Sequence, residues 1–268
     1  MILYPHAKVN IGLFITGKRP DGFHDVETIL YPVALRDTLE IHLAGGRGEC
    51  HLHCTGGDAG LPADNLVARA YRLLSADFDL PSARVHLHKC IPSGAGLGGG
   101  SSDAAFALVA LDALCGLALG ERRLQQYAAR LGSDCPFFVH GRPVVARGRG
   151  EVMEPVDLSL EGYRVVIVKP PLGVSTAEAY RRVSPRAARV SLVEATRRSP
   201  ARWEGVVNDF EEVVMSLVPL VLEIKQRLLE AGAVYAAMTG SGSAVYGLFD
   251  RPVDARALFP GYFTWQQE

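Results

Sequence analysis

Apolar and polar residues alternate over residues 7–16, where Val9, Ile11, Leu13 and Ile15 are separated by Lys8, Asn10, Gly12 and Phe14. A period of two predicts a β-strand with Lys8 and Asn10 on one face. A turn-rich stretch at 17–24 leads into further apolar segments at 26–35 and 38–43, so the chain opens rich in strand. Residues 62–65 read as a turn, after which Asp64 or Asn65 can cap a helix with Leu66, Val67, Ala70, Leu73 and Leu74 on one face. Residues 84–91 alternate again. Two helices are predicted next, at 102–114 and 121–131, the second turning Leu124, Tyr127, Ala128 and Leu131 inward and stopping at Gly132. Strands follow at 144–149 and 163–169, and the stretch 151–162 between them reads as a domain boundary, dividing the chain into 1–154 and 155–268. Helices are predicted at 176–182, 192–198, 208–217 and 220–230, with Pro219 at one junction and Gly232 as a stop. A second small glycine turn, T-G-S-G-S, precedes an apolar strand within 238–249.

Between the strand at 84–91 and the helix after it lies K-C-I-P-S-G-A-G-L-G-G-G-S-S-D-A-A, residues 89–105, with five glycines between Pro92 and Ser101. Glycine lets the backbone bend sharply and approach a ligand closely. Ser101, Ser102 or Asp103 can then cap the helix. A helix N-terminus reached in this way offers free N–H groups and a positive dipole end, which suits phosphate. A P-loop would need Lys after the glycines, and none follows. Residues 94–99 do match G-x-G-x-x-G, but two helices follow where a dinucleotide site needs a strand ending in an acidic residue.

The formal net charge of −1 gives no electrostatic case for nucleic acid or a membrane surface. No apolar run is long enough to cross a bilayer, and the first residues lack the basic and apolar regions of a signal peptide. At 48% hydrophobic and 21% charged the chain can bury a sizeable core. Five cysteines without framework spacing fit free thiols in a reducing cytoplasm. Cys50-His51-Leu52-His53-Cys54 looks metal-binding, yet alternation turns the two cysteines and two histidines to opposite faces, and four ligands cannot then converge on one ion. No metal site is therefore assigned.

The pattern P-x-x-x-G-L-x-x-S-S-x-A, carried by Pro92, Gly96, Leu97, Ser101, Ser102 and Ala104 with one extra glycine, resembles the phosphate-binding signature of the GHMP kinases. Lys8–Asn10 and the turn Thr239-Gly240-Ser241-Gly242-Ser243 resemble the other two motifs of that superfamily. Four pieces narrow the resemblance: A-K-V-N-I-G-L-F-I-T-G-K-R-P-D-G-F-H, the glycine loop, L-G-S-D-C-P-F-F-V-H-G and N-D-F-E. They are similar to the branch that phosphorylates the 2-hydroxyl of a CDP-linked methylerythritol in the non-mevalonate isoprenoid precursor pathway. The similarity covers residues 7–249. It implies an α+β fold of two domains, an N-terminal ribosomal-protein-S5-like mixed domain and a C-terminal ferredoxin-like domain, with the active site in the cleft between them. It also implies a cytoplasmic enzyme, monomeric or weakly dimeric, using ATP as its Mg²⁺ complex on a small-molecule substrate.

The resemblance assigns ATP to Pro92, Ser93, Gly94, Ala95, Gly96, Leu97, Gly98, Gly99, Gly100, Ser101 and Ser102, with Asn65, Leu66 and Lys89 near the adenine. Asp134 is the expected general base, since the attacking hydroxyl must lose its proton. On spacing alone a helix-capping Asp is as good a reading. Lys8 is the expected catalytic cation, against the alternative of a solvated Lys on an exposed strand. Asn10 is expected on substrate, Phe23 and His24 on the cytosine, and Thr176 and Tyr180, four apart on one helix face, on substrate too, with Tyr180 over the other side of the base. Phe23 stands where many relatives have Tyr, and Asp103 where many have Asn. Asp103 is left open between a cap and an approach to Mg²⁺. Two other readings share these residues: another small-alcohol kinase of the superfamily, and a non-catalytic ligand sensor, which would usually have lost part of the loop or the base.

Overall fold

A computed structural model describes residues 1–58, 60 and 64–267. Pro62 and Ala63, half of the expected turn at 62–65, lie outside the described residues. In chain order the strands are β1 (Ile2–Leu3), β2 (His6–Lys18), β3 (His24–Arg36), β4 (Thr38–Arg47), β5 (Cys50–Gly56), β6 (Pro81–Lys89), β7 (Val144–Gly148), β8 (Val152–Pro155), β9 (Arg164–Lys169), β10 (Tyr235–Met238), β11 (Val245–Phe249) and β12 (Phe263–Gln266). The helices are α1 (Leu66–Ser75), α2 (Gly99–Cys115), α3 (Gly120–Leu131), α4 (Cys135–His140), α5 (Thr176–Arg182), α6 (Leu192–Ala195), α7 (Phe210–Leu217), α8 (Leu220–Glu230) and α9 (Ala255–Leu258). Two compact units result. One comprises Met1–Ala7, Ala34–Ser93 and Gly98–Arg142; the other comprises Lys8–Val33, Gly94–Leu97 and Pro143–Glu268.

In the first unit the sheet order is β1-β4-β6-β5, with β5 and β6 parallel and the other pairs antiparallel. Helices α1, α2 and α3 cover its apolar face through Tyr71, Leu74, Leu108, Leu111 and Leu124. Asn65 caps α1 by accepting the Val67 N–H at 2.9 Å, as its position before the apolar stripe predicts. On β5, Cys50, Leu52 and Cys54 pack on that core while His51 and His53 are exposed, so the Cys/His stretch does divide between two faces.

The second unit holds two sheets, ordered β2-β3-β7-β8 and β10-β11-β9-β12. β9 is buried from Val165 through Val168 because both its neighbours and the packed helices cover a run of β-branched residues. Helices α7 and α8, broken at Pro219, contribute Phe210, Val214, Val221, Ile224 and Leu228 to the core. Strand β8 lies inside the stretch 151–162 and pairs with β7.

The alternation on β2 does not mark one wet face. Every residue from Ala7 to Ile15 is buried, including Lys8 and Asn10, each 3% exposed. The solvated-strand reading of Lys8 is therefore corrected. A buried polar row of this kind needs internal partners.

Candidate active site

Those partners come from the two glycine turns. The Lys8 ammonium donates to Asn10 Oδ1 at 2.5 Å and to the Gly96 carbonyl at 2.7 Å, and the Lys8 N–H donates to the Leu97 carbonyl at 3.0 Å. Asn10 Oδ1 also accepts the Gly240 N–H at 2.9 Å and the Thr239 hydroxyl at 3.2 Å, and its amide nitrogen donates to Thr28 Oγ1 at 3.0 Å. Thr239 Oγ1 reaches the Gly96 carbonyl as well, at 3.0 Å. Gly96 has φ +75°, and a Cβ there would run into the Thr239 carbonyl, so only glycine serves. Asn10, expected on substrate, thus spends its carbonyl oxygen on holding Lys8 against both turns.

The N-D-F-E segment supports the C-terminal turn from below. Asn208 Nδ2 donates to the carbonyls of Met238 and Gly240, each at 2.8 Å. Glu211 accepts the Met238 N–H at 2.8 Å and pairs with Lys225 at 2.6 Å. Asp209 accepts the Ile15 N–H at 2.8 Å. Asn208, Glu211 and Thr28 were not singled out from the sequence. The motif N-D-F-E was the signal for the first two; Thr28 gave none.

The same unit gathers the residues expected at the cytosine. Phe23 is exposed, and the Arg149 guanidinium lies 3.6 Å from its ring centroid. His24 is buried, 5.2 Å from the Tyr180 ring at a tilt of 35°. Burial, then the charge of Lys18, lowers the His24 pKa, which favours the neutral ring. Tyr180 packs edge-on against Phe210, which fixes its plane. Thr176 meets Ser241 of the glycine turn at 2.9 Å. Tyr180 and His24 are therefore brought together, while Thr176 goes to the glycine turn.

In the first unit the loop enters α2. The helix begins at Gly99, with Gly98 at φ +73° as N-cap and no side-chain cap. Ser101, Ser102 and Asp103 therefore lie inside the helix, which corrects the expectation that one of them caps it. The glycines let the helix start early, and Asp103 then turns inward. It ion-pairs with the Lys89 ammonium at 2.6 Å, and Lys89 also pairs with Asp37. Asp37 in turn accepts the N–H groups of Cys90 at 2.5 Å and Ile91 at 2.8 Å. Lys89 is 6% exposed, buried beneath the helix start rather than standing on an open strand face. Burial pulls the Lys89 pKa down, but the charges of Asp103 and Asp37 outweigh it and leave it raised. Burial pushes the Asp103 carboxyl up to about 7, against Lys89 and with Asp37 adding to the rise. Asp37 gave no sequence signal.

Leu66 approaches Gly100, where a Cβ would lie 3.7 Å from its Cδ1. Ser93 donates to the Asp58 carbonyl. Ser102 Oγ is buried and has no hydrogen-bond partner among the described residues. Asp134 directly precedes α4, half-buried, in the right-handed helical region, and its side chain does not cap that helix. The capping alternative is thereby set aside. Among the described residues no group of three His, Cys, Asp or Glu is placed to hold a metal ion, and no helix is long and apolar enough to cross a membrane.

A glycine loop pinned by a buried Lys on one side and opening a helix on the other defines a phosphate-handling class of protein, and comparison with known families gives that class its name. Residues 65–142 match GHMP kinases N terminal domain, and residues 192–259 match GHMP kinases C terminal. The 4-diphosphocytidyl-2-C-methyl-D-erythritol kinase of Bacteroides fragilis is 48% identical over 272 residues, covering 100% of this chain and 99% of its own length. The protein of the same name from Bacteroides thetaiotaomicron is 49% identical over 253 residues, 93% of this chain and 92% of the relative. A crystal structure of 4-(cytidine 5'-diphospho)-2C-methyl-D-erythritol kinase superposes with a TM-score of 0.84 at 35% identity, covering 99% of this chain and 98% of that one. The chain belongs to the GHMP kinases and, within them, to the 4-diphosphocytidyl-2-C-methyl-D-erythritol kinase family, with the two-domain GHMP fold.

Proposed function

We propose that the protein transfers the γ-phosphoryl group of ATP to the tertiary 2-hydroxyl of 4-diphosphocytidyl-2-C-methyl-D-erythritol. The observation that carries the chemical part of this reading is the Lys8 ammonium, buried and clasped by the Gly96 carbonyl. A cation held at the inner bend of a phosphate loop stabilises negative charge without first having to reorganise. The names of the full-length relatives support the choice of acceptor.

Backbone N–H groups of residues 98–101 would face the triphosphate at the α2 N-terminus, ahead of the first helical bond from the Ser102 N–H to the Gly98 carbonyl, where the helix dipole favours anions. Gly98, Gly99 and Gly100 keep that surface free of side chains. Asn65 and Leu66 flank the adenine. Lys89 supports the loop from beneath rather than through solvent. Asp134 accepts the hydroxyl proton as the oxygen attacks phosphorus in line, and Lys8 stabilises the charge that develops. No covalent enzyme intermediate is needed. Mg²⁺, when bound with the nucleotide, would supply charge neutralisation at the phosphates. Such an ion would arrive on ATP and keep several of its waters. Phe23 stacks on the cytosine, neutral His24 bonds its edge, and Tyr180 closes the other side.

Steady-state assays with ATP and a panel of alcohols test this assignment. ADP release should depend on the cytidylyl alcohol and be inhibited by CMP or CDP. Turnover of mevalonate or homoserine, without competition by CMP, would assign the protein to another alcohol kinase of the superfamily.

A further inference from the structure

Beneath the first turn of α2 lies a charge cluster that the transfer step does not use. Lys89 is held between Asp37 and Asp103, all three of them buried. The cluster is in contact with the loop itself, because a Cβ on Gly99 would lie 3.2 Å from Lys89 Nζ and 2.9 Å from Ile91 Cγ2. Asp37 is saturated by Lys89 and two backbone N–H groups. Asp103 is not. One oxygen pairs with Lys89, and the other is buried with no hydrogen-bond partner among the described residues. With both carboxyls ionised, one cation and two anions leave a net negative charge buried directly under an anion site. That charge opposes a triphosphate at the same helix end that attracts it.

We propose that Asp103 is a positioning residue for ATP, its carboxyl taking up a proton from solvent as the triphosphate seats at the start of α2 and releasing it when the nucleotide leaves. The inference rests on the ATP reading above. Uptake neutralises the cluster, removes the like charge beneath the phosphates and relieves the carboxylate oxygen that lacks a partner. The neighbouring titratable groups cannot take up this proton, because they already carry theirs. Cys54 on β5 and Cys90 after β6 are both held in the neutral thiol form by burial, with Asp103 and Asp37 respectively adding to the effect. Cys135 on α4, facing Ser101, is pushed up to about 11. Lys89 is held protonated by its two carboxylates. Asp103 is the group whose ordinary range has moved up towards neutrality.

Calorimetric titration of Mg-ATP into the protein, in paired buffers of different ionisation heat, counts the protons. A free-state value of about 7 predicts uptake of about 0.9 proton at pH 8 and about 0.2 at pH 6.5. Asp103→Asn should still bind Mg-ATP and lose the uptake at pH 8, and its KM for ATP should stop rising with pH, a rise of up to about tenfold per unit in the parent protein above pH 7.5. Binding without uptake at pH 8, or with equal uptake at the two pH values, overturns the inference and leaves the ATP reading intact; both are read on the unmodified protein whether or not the variant folds. Equal uptake in protein and variant also overturns it. Failure to bind Mg-ATP at all overturns the ATP reading, and this inference with it.

Discussion

Asn10→Ala tests the junction of the two glycine turns. The substitution removes an acceptor used by Lys8 Nζ, the Gly240 N–H and the Thr239 hydroxyl. Thr239 keeps the Gly96 carbonyl, and Thr28 keeps its own donation to the Gly12 carbonyl at 2.5 Å, so neither is orphaned. Two losses remain. The buried Gly240 N–H is left without this acceptor, at about 1–3 kcal/mol, and a charge-assisted bond from Lys8 is lost, at about 1.5–3 kcal/mol. The sum, about 2.5–6 kcal/mol, is a large fraction of an ordinary folding free energy of about 5–15 kcal/mol. Lys8 should also drift from the loop, and a displacement near 1 Å can cost about 10²-fold in kcat. Urea unfolding gives the stability change, and initial rates with saturating ATP give kcat. Asn10→Asp retains the acceptor and should recover most of the stability. A loss below about 1 kcal/mol for Asn10→Ala, with kcat intact, would refute the role assigned to Asn10 as the clasp of Lys8.

Asp134→Asn should lower kcat by about 10²–10⁴ while leaving the Kd for ATP unchanged, measured by rapid kinetics and nucleotide titration. Phe23→Ala should raise KM for the cytidylyl substrate about 5- to 150-fold, the range of one base–aromatic stack. Because Phe23 is exposed and its visible contact is Arg149, the fold should lose less than about 1 kcal/mol. Burial and Lys18 hold His24 below its ordinary range, so its neutral ring is present above pH 7 and is lost only as pH falls through that lowered value. KM for the cytidylyl substrate should therefore be flat from pH 7 to 8 and rise only at pH values below the ordinary histidine range, with the rise absent in His24→Gln.

Most elements with a clear period were legible. β2, β9, α1, α3 and α8 stand where alternation, β-branched runs, caps and stops place them. The elements that were not legible are short and compositionally atypical. Strand β10 is Tyr-Ala-Ala-Met, with no β-branched residue, and is fixed by its pairing with β11 rather than by propensity. Helix α4, Cys-Pro-Phe-Phe-Val-His, is six residues long, too short to show a period, and its cues are confined to proline at its start and Gly141 at its end. At the candidate site the loop and its flanking helix could be read locally. The partners of Lys8 and Asn10 could not, because Thr239 and Gly240 are 229 and 230 residues from Asn10. Alternation alone makes Lys8 look wet, and only the long-range turn shows why a buried ammonium is tolerated there. Asp37 was likewise invisible, since a single Asp between two strands gives no hint that it will meet Lys89 52 residues on.

The acceptor hydroxyl defines the reaction. Phosphorus NMR of the product formed from ATP and 4-diphosphocytidyl-2-C-methyl-D-erythritol tests it directly. One new phosphomonoester on the tertiary 2-hydroxyl should appear for each ADP released. Phosphate on a primary or secondary hydroxyl, or ADP appearing with orthophosphate alone, would contradict it.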